Sequence, residues 1–424
     1  MKEDFIAYIW QHRLYEGLNL KTVGGEDLQV LSTGSLNHDA GPDFFNAKIK
    51  LGQTIWAGNV EIHVKSSDWL LHQHQKNQAY DNIILHLVVE QDVTIRRKSG
   101  EPIPTLELRK YVKQKLHQNF TYLQNNKDWI PCQKLIHEVD LFTLKNWMDR
   151  LLIERMEQKT QMIAKMLSLN KNDWEVTFYQ YLGRSFGFKV NALPFELLTT
   201  QLPLSAVWKH KTQLLQIEAM LFGGAGFLEE EGGDEYQQNL KKEFDFLKAK
   251  FSLDTLPKHI WKFHRMRPSN FPTIRIAQFA QLLHQQDGLF SKVLSIKKLK
   301  DFFNLFSLQP SLYWQSHYVF GKETKKYGKR KMSRATIENL LLNAVVPFMF
   351  IYGQMTGKTD FEERSFALLE ELKAEKNNIL KGWESLNIEP KNAYESQALL
   401  QLKNKYCNAK RCLSCAVGNQ LIRR

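Results

Sequence analysis

Nine consecutive residues, 82–90 (N-I-I-L-H-L-V-V-E), constrain the fold more than any other stretch of the chain. Aliphatic and β-branched residues fill this run almost without polar alternation. It therefore predicts a central strand buried on both faces, which a sheet provides only when other layers cover both sides. The residues before it supply the rest of such a domain. Phe5, Ile6, Ile9, Trp10 and Leu14 recur at helical spacing over residues 3–16, and Gly17 ends the helix. Strands are expected over residues 28–33, 44–51 and 55–65, with a turn at Gly52-Gln53 between the last two. Asp68 is expected to cap a helix reaching about Tyr80, and residues 93–97 to add an edge strand or hairpin partner. The fold class is α/β, a mixed sheet with flanking helices.

From Leu141 onward the pattern changes. Leu144, Trp147, Met148, Leu151 and Leu152 follow a helical period, and similar stretches are expected over residues 174–183, 194–198, 211–222, 235–251, 273–284, 296–306, 334–352 and 361–383. The expected organisation is an α/β domain over residues 1–115, a connector over 116–140, a helical domain over 141–400 and a cysteine-bearing tail over 401–424. The longest apolar run, residues 340–352, is interrupted by Asn343 and Pro347, so no membrane span is expected from it. The N-terminus begins with a mixed-charge amphipathic stretch and shows no signal-peptide core, which places the chain in the cytoplasm.

Charge bears on partners. Lys plus Arg number 58 against 45 Asp plus Glu, a formal net charge of +13, and such an excess favours polyanions through counterion release. Residues 322–334 hold seven basic side chains and one acid around Tyr327 and Gly328, which suggests an exposed loop able to meet phosphates. His264, Arg265, Arg267 and Arg275 form a second basic group. A solvated surface explains either patch equally well.

The residues that carry chemistry lie before the apolar strand. Metal-assisted phosphodiester hydrolysis needs carboxylates that hold Mg²⁺ or Mn²⁺ while leaving positions open to water and phosphate. Pro42-Asp43 opens one expected strand, and after one hairpin the next carries Glu61, His63 and Lys65 on one face with Val60, Ile62 and Val64 on the other. Asn37, His38, Asp39, His72, His74, Asp81 and His86 add polar groups nearby. The His72-x-His74 pair is open to a transition-metal role or a purely structural one. Glu3 or Glu16 on the first helix is a candidate outer carboxylate.

This pattern resembles the PD-(D/E)XK phosphodiesterase superfamily, which includes restriction enzymes and recombination exonucleases. More narrowly, G-P-D-F, W-A-G-N-V-E-I-H-V-K-S-S-D-W, H-Q-H and Y-D-N-I-I-L-H-L-V-V resemble a bacterial family known as a domain of unknown function. That likeness continues through N-A-L-P-F-E, M-R-P-S-N-F-P-T-I-R and the C-terminal cysteines. The resemblance implies a restriction-endonuclease-like fold, Asp43 and Glu61 as metal carboxylates, and His63 where the superfamily has its water-orienting lysine. A neutral imidazole brings less charge to a pentavalent phosphate than an ammonium does, and Lys65, one pleat on, is the candidate replacement.

Three of the four cysteines, Cys407, Cys412 and Cys415, cluster in the tail, while Cys132 follows Ile130-Pro131 in the connector. Together they form a candidate tetrahedral Zn²⁺ site or [4Fe–4S] site; reduced, unpaired thiols are the alternative. Some recombination exonucleases of the superfamily carry a comparable staple, with one cysteine before the nuclease motifs. Here all four follow the motifs. The function expected from the sequence is a metal-dependent nuclease acting on DNA or RNA. The alternative is an inactive nuclease fold serving as a nucleic-acid-binding or assembly module.

Overall fold

The computed structural model describes residues 1–17, 20–230 and 232–424. The chain forms two compact units, one of Met1–Trp147 with Leu402–Arg424 and the other of Met148–Gln401. The connector and the last two dozen residues thus belong to the first unit rather than standing apart as separate segments.

The first unit is built on a mixed sheet. Helix α1 (Glu3–Gln11) precedes strands β1 (Leu20–Lys21), β2 (Asp27–Ser32), β3 (Ser35–Leu36), β4 (Phe44–Leu51) and β5 (Thr54–Lys65). A short helix α2 (Asp68–Leu71), strands β6 (Ile83–Glu90) and β7 (Thr105–Glu107), and helix α3 (Gln114–Asn125) complete it. The strand order is β1-β2-β4-β5-β6-β7, with β3 pairing β4 off this path. Antiparallel pairing joins β2, β4 and β5, whereas β6 runs parallel to both β5 and β7. The apolar run is therefore the interior parallel strand, and Ile83, Ile84, Leu85, Leu87 and Val88 are all buried. At the entry to this pairing, β5 approaches so closely that a Cβ on Gly58 would lie 2.6 Å from the Asn82 carbonyl oxygen, so the position excludes any side chain.

Several local expectations are corrected. Helix α1 stops at Gln11 instead of reaching Glu16, because the chain turns through Arg13 at φ +51°. Asp68 does not cap a helix to Tyr80. Its Oδ2 accepts the Lys65 N–H at 2.9 Å, the helix lasts four residues, and Gln73 at φ +58° breaks it into two 3₁₀ turns, His74–Lys76 and Gln78–Tyr80. Residues 93–97 form no edge strand, and the third parallel strand comes later, at β7. The hairpin alternative holds in short form: Arg96 bridges Pro102 antiparallel, and the Ile103 and Arg97 N–H groups donate to the Ile95 and Glu101 carbonyls.

The second unit is helical, with the longest helix, Leu141–Leu169, carrying the chain into it. The expected helix over residues 235–251 is realised as Glu235–Phe251, while that over 361–383 divides into Thr359–Glu371 and Asn378–Glu384. Asn343 and Pro347 do not interrupt the apolar run. A π-helical turn, Leu341–Val345, joins Arg334–Leu340 to Val346–Thr356. Pro347 offers no N–H to the preceding turn, and the Leu342 carbonyl accepts from Lys159 Nζ at 3.2 Å instead. The resulting run, Arg334–Thr356, is long and apolar enough to cross a membrane, but 67% of its apolar window is buried inside the unit. Arg275, expected among surface basic groups, is only 3% exposed. Its guanidinium bonds Gln278 and Asn270 and stacks on Phe188, so it belongs to the core.

Candidate metal centre

Asp43 is the last residue before β4, and Glu61 sits in the middle of neighbouring β5. Antiparallel pairing of Phe44 with Val60 sets them side by side. Each carboxylate reaches the other's main chain: Glu61 Oε2 accepts the Asp43 N–H at 3.2 Å, and Asp43 Oδ2 accepts the Ile62 N–H at 2.8 Å. Two acids are thereby held close together in a water-poor setting. Burial pushes Asp43 up to about 6 against the lowering hydrogen bond from Ile62, and Glu3 pushes it the same way. Glu61 rises further, to about 9, through burial, then the charge of Asp43, then that of Glu3. Glu3 is thus the helix carboxylate that the site feels, whereas Glu16 pairs with Lys113 at 3.1 Å.

Histidines crowd the other oxygen of Glu61. His74 Nε2 lies 3.2 Å and His63 Nε2 3.7 Å from Glu61 Oε1. His63 Nε2 is also 3.2 Å from His72 Nδ1. Among the described residues, one ligand atom each from His63, His72 and His74 falls within 4.8 Å of the other two. Two ligands bound to one ion at about 2.1 Å lie roughly 3–3.5 Å apart, so these separations suit a shared cation. Behind them His63 Nδ1 meets His86 Nε2 at 2.8 Å, the kind of outer hydrogen bond that fixes a ligating imidazole.

Protons do not satisfy this cluster. Burial first, and then the neighbouring rings, push His63 down to about 2. Burial and His72 take His74 to about 4, and burial and His74 take His86 to about 3. His63, His74 and His86 are thus held neutral at ordinary pH, and buried His74 Nε2 has no hydrogen-bond partner. Tyr80 stacks on His74 with ring centroids 3.9 Å apart; its hydroxyl is pushed up to about 12 by burial and by Glu61 and Asp43.

The broken helix explains the convergence. A regular helix from Asp68 would sweep His72 and His74 to different sides, about 200° apart, but the left-handed Gln73 between them turns the chain, so that His72 meets His63 and His74 meets Glu61. Lys65 ends β5 and is exposed; among the described residues no contact joins its side chain to either carboxylate. Beside the centre, a cavity of about 240 Å³ runs from His74 and Tyr80 to Arg96, Arg97 and Lys98. The sequence carried that cationic run openly, but the expectation of a strand there hid it.

The four cysteines also converge within the first unit. Cys132 lies in the turn after Pro131, Cys407 ends a π-helical turn (Leu402–Cys407), Cys412 opens a 3₁₀ turn (Cys412–Ser414), and Cys415 precedes the last helix (Ala416–Arg423). All four line one cavity, and none is in a disulfide. Burial, then Cys415 and Cys412, push the Cys132 thiol up to about 12, and burial with Cys415 takes Cys412 to about 12 as well.

A family profile described as "Protein of unknown function (DUF2851)" matches residues 3–378. No curated protein and no solved structure matches the chain.

Proposed function

The chain belongs to the DUF2851 family, and from the centre itself we propose that it is a metal-dependent phosphodiesterase acting on DNA or RNA in the cytoplasm. One observation carries this reading: the Asp43–Glu61 pair, whose Glu61 faces the Asp43 main chain through one oxygen and the imidazoles of His63 and His74 through the other, with His72 beside His63. Two carboxylates and a set of imidazole lone pairs repel one another unless a cation lies among them. On the Asp43 side the donors are oxygens, suited to Mg²⁺ or Mn²⁺; on the histidine side they are nitrogens, suited to a transition metal. A bound cation would orient phosphate and lower the pKa of a bound water. Glu61 and Asp43 would hold it, His63 would serve as a ligand rather than as the water-orienting base, and His86 would keep His63 in its orientation.

Two further features support a nucleic-acid substrate. Arg96, Arg97 and Lys98 rim the cavity that opens beside His74, where phosphates flanking the scissile one would lie. The restriction-endonuclease-like reading of the fold rests on α1, on the antiparallel β4–β5 pair bearing Asp43 and Glu61, and on parallel β6 reached through α2. The test uses purified full-length protein with Mg²⁺ or Mn²⁺ and labelled single- and double-stranded DNA and RNA. Cleavage by wild type that Asp43→Ala abolishes is expected; equal turnover in the two proteins would sink the assignment.

A further inference from the structure

We propose that Cys132, Cys407, Cys412 and Cys415 bind one thiolate-held metal centre, a zinc ion or an iron–sulfur cluster, that fastens the C-terminal segment to the first unit. The chain has only four cysteines. All of residues 148–401 lie between the first and the second of them, and yet all four face a single cavity. Unconstrained packing has no reason to bring every cysteine of a chain to one cavity, whereas a shared ion does.

The chain packs closely around the four thiols. Gly418 lets the helix start close against Cys412: a Cβ there would stand 2.2 Å from the Cys412 carbonyl oxygen. The cavity that the four cysteines line with Pro131, Tyr406, Arg411 and Gly418 is about 20 Å³, the size of a single ion, which favours zinc over a cluster and leaves no room for an organic ligand.

Polar contacts already lay this segment on the first unit, and the metal would lock them. Asn119 Nδ2 on α3 donates to the carbonyls of Leu421 and Ile422, both at 3.3 Å. Gln124 Nε2 donates to the Lys410 carbonyl at 3.0 Å, and Arg423 Nε to the Tyr8 hydroxyl at 3.0 Å. Each is a single hydrogen bond, individually weak; four metal–thiolate bonds closing so long a loop would hold the segment far more firmly.

A metal count alone does not decide the matter, because the histidines of the proposed active centre also take zinc. The deciding measurement is the reactivity of native thiols in full-length protein purified without air. Wild type loaded with zinc, or reconstituted with iron and sulfide, is expected to protect all four thiols until a strong chelator is added. About one zinc, or about four irons with matching sulfide and a brown absorbance, should leave as the thiols appear. Cys132→Ser should lower that metal count, whereas His72→Ala should leave thiol protection unchanged. Four thiols that react at once in metal-loaded wild type would overturn the proposal, even if every cysteine variant proved insoluble. So would a Cys132→Ser protein that folds and binds as much metal as wild type.

Discussion

The two constellations of the first unit differ in how the chain assembles them. Asp43 and Glu61 are brought together by one hairpin, and β-pairing alone sets their separation. The cysteines come from segments on either side of an entire helical unit and meet through tertiary docking. The carboxylate pair therefore needs only a sheet to exist, and a cation held there, as the proposed function requires, would be free to exchange with solvent. The second needs the whole fold, and its cation would help to hold that fold. Hard oxygens with imidazole suit exchangeable catalytic ions, and a closed sulfur set suits a permanent structural one.

The comparison breaks most sharply on activity. Glu61→Gln keeps shape but removes the charge shared between Asp43 and the histidines. Hydrolysis of labelled nucleic acid is expected to fall by roughly 10³ or more, the scale of losing a catalytic metal. The melting temperature of metal-free protein should hold or rise, because wild type loses stability at neutral pH by holding Glu61 protonated and the neutral amide does not. Cys412→Ser should do the reverse, with stability lower by about 3–5 kcal/mol and the rate per folded molecule within a few-fold of wild type. Equal effects of the two variants on both readouts, thermal melting and turnover, would erase the distinction.

Acid–base linkage sharpens the same contrast in metal-free protein. Glu61 has a folded pKa near 9 against an ordinary 4.5. Its contribution is fully present below the unfolded pKa, is lost as pH rises, and is gone above the folded value. Asp43, raised to about 6, loses its share over a lower and narrower window. With chelator present, the Glu61 share of stability, read as the difference between wild type and Glu61→Gln, should therefore fall between about pH 4.5 and 9 by up to about 1.4 kcal/mol per pH unit. His63, His74 and His86, all lowered by burial, add stability as pH rises toward about 6.5 in both proteins. Denaturant melts of wild type and Glu61→Gln across that range check this. A wild-type curve parallel to the variant's would mean that Glu61 is not held protonated.

How legible these features were in sequence follows from the range of the interactions that make them. The β4 and β5 boundaries and the burial of β6 follow from period and hydrophobicity, which are local signals. Glu61 and His63 were assigned to one face of a strand, and both are buried there. The histidine cluster was legible only as an unresolved H-x-H pair, because its geometry depends on Gln73 taking a left-handed conformation that its residue type does not announce. Arg275 looked like surface charge because a buried guanidinium is rare. Its partners Gln278, Asn270 and Thr336 come from its own helix, the turn before it and a distant one, so only tertiary structure reveals them.

The smallest expected effect separates basic residues that meet substrate from those that only look available. Arg96 is held by its own loop, with Nη1 donating to the Gly100 carbonyl at 2.8 Å. Lys98 pairs with Asp81 at 2.9 Å while remaining more than half exposed. Both border the cavity next to His74, and neither supports the core. Removing one phosphate contact leaves the fold intact and releases about one fewer counterion, so Lys98→Ala should shallow the salt dependence of nucleic-acid binding by about one unit of slope. Arg275→Ala, by contrast, should lower stability by about 2–4 kcal/mol through the partners it strands, and leave the slope unchanged. Binding titrations at several salt concentrations, run beside thermal melts, place each residue. If Lys98→Ala leaves the slope untouched while a variant in the exposed run from Lys322 to Arg334 changes it, phosphate contacts lie on the helical unit instead. The cavity beside His74 would then lose its part in the reading.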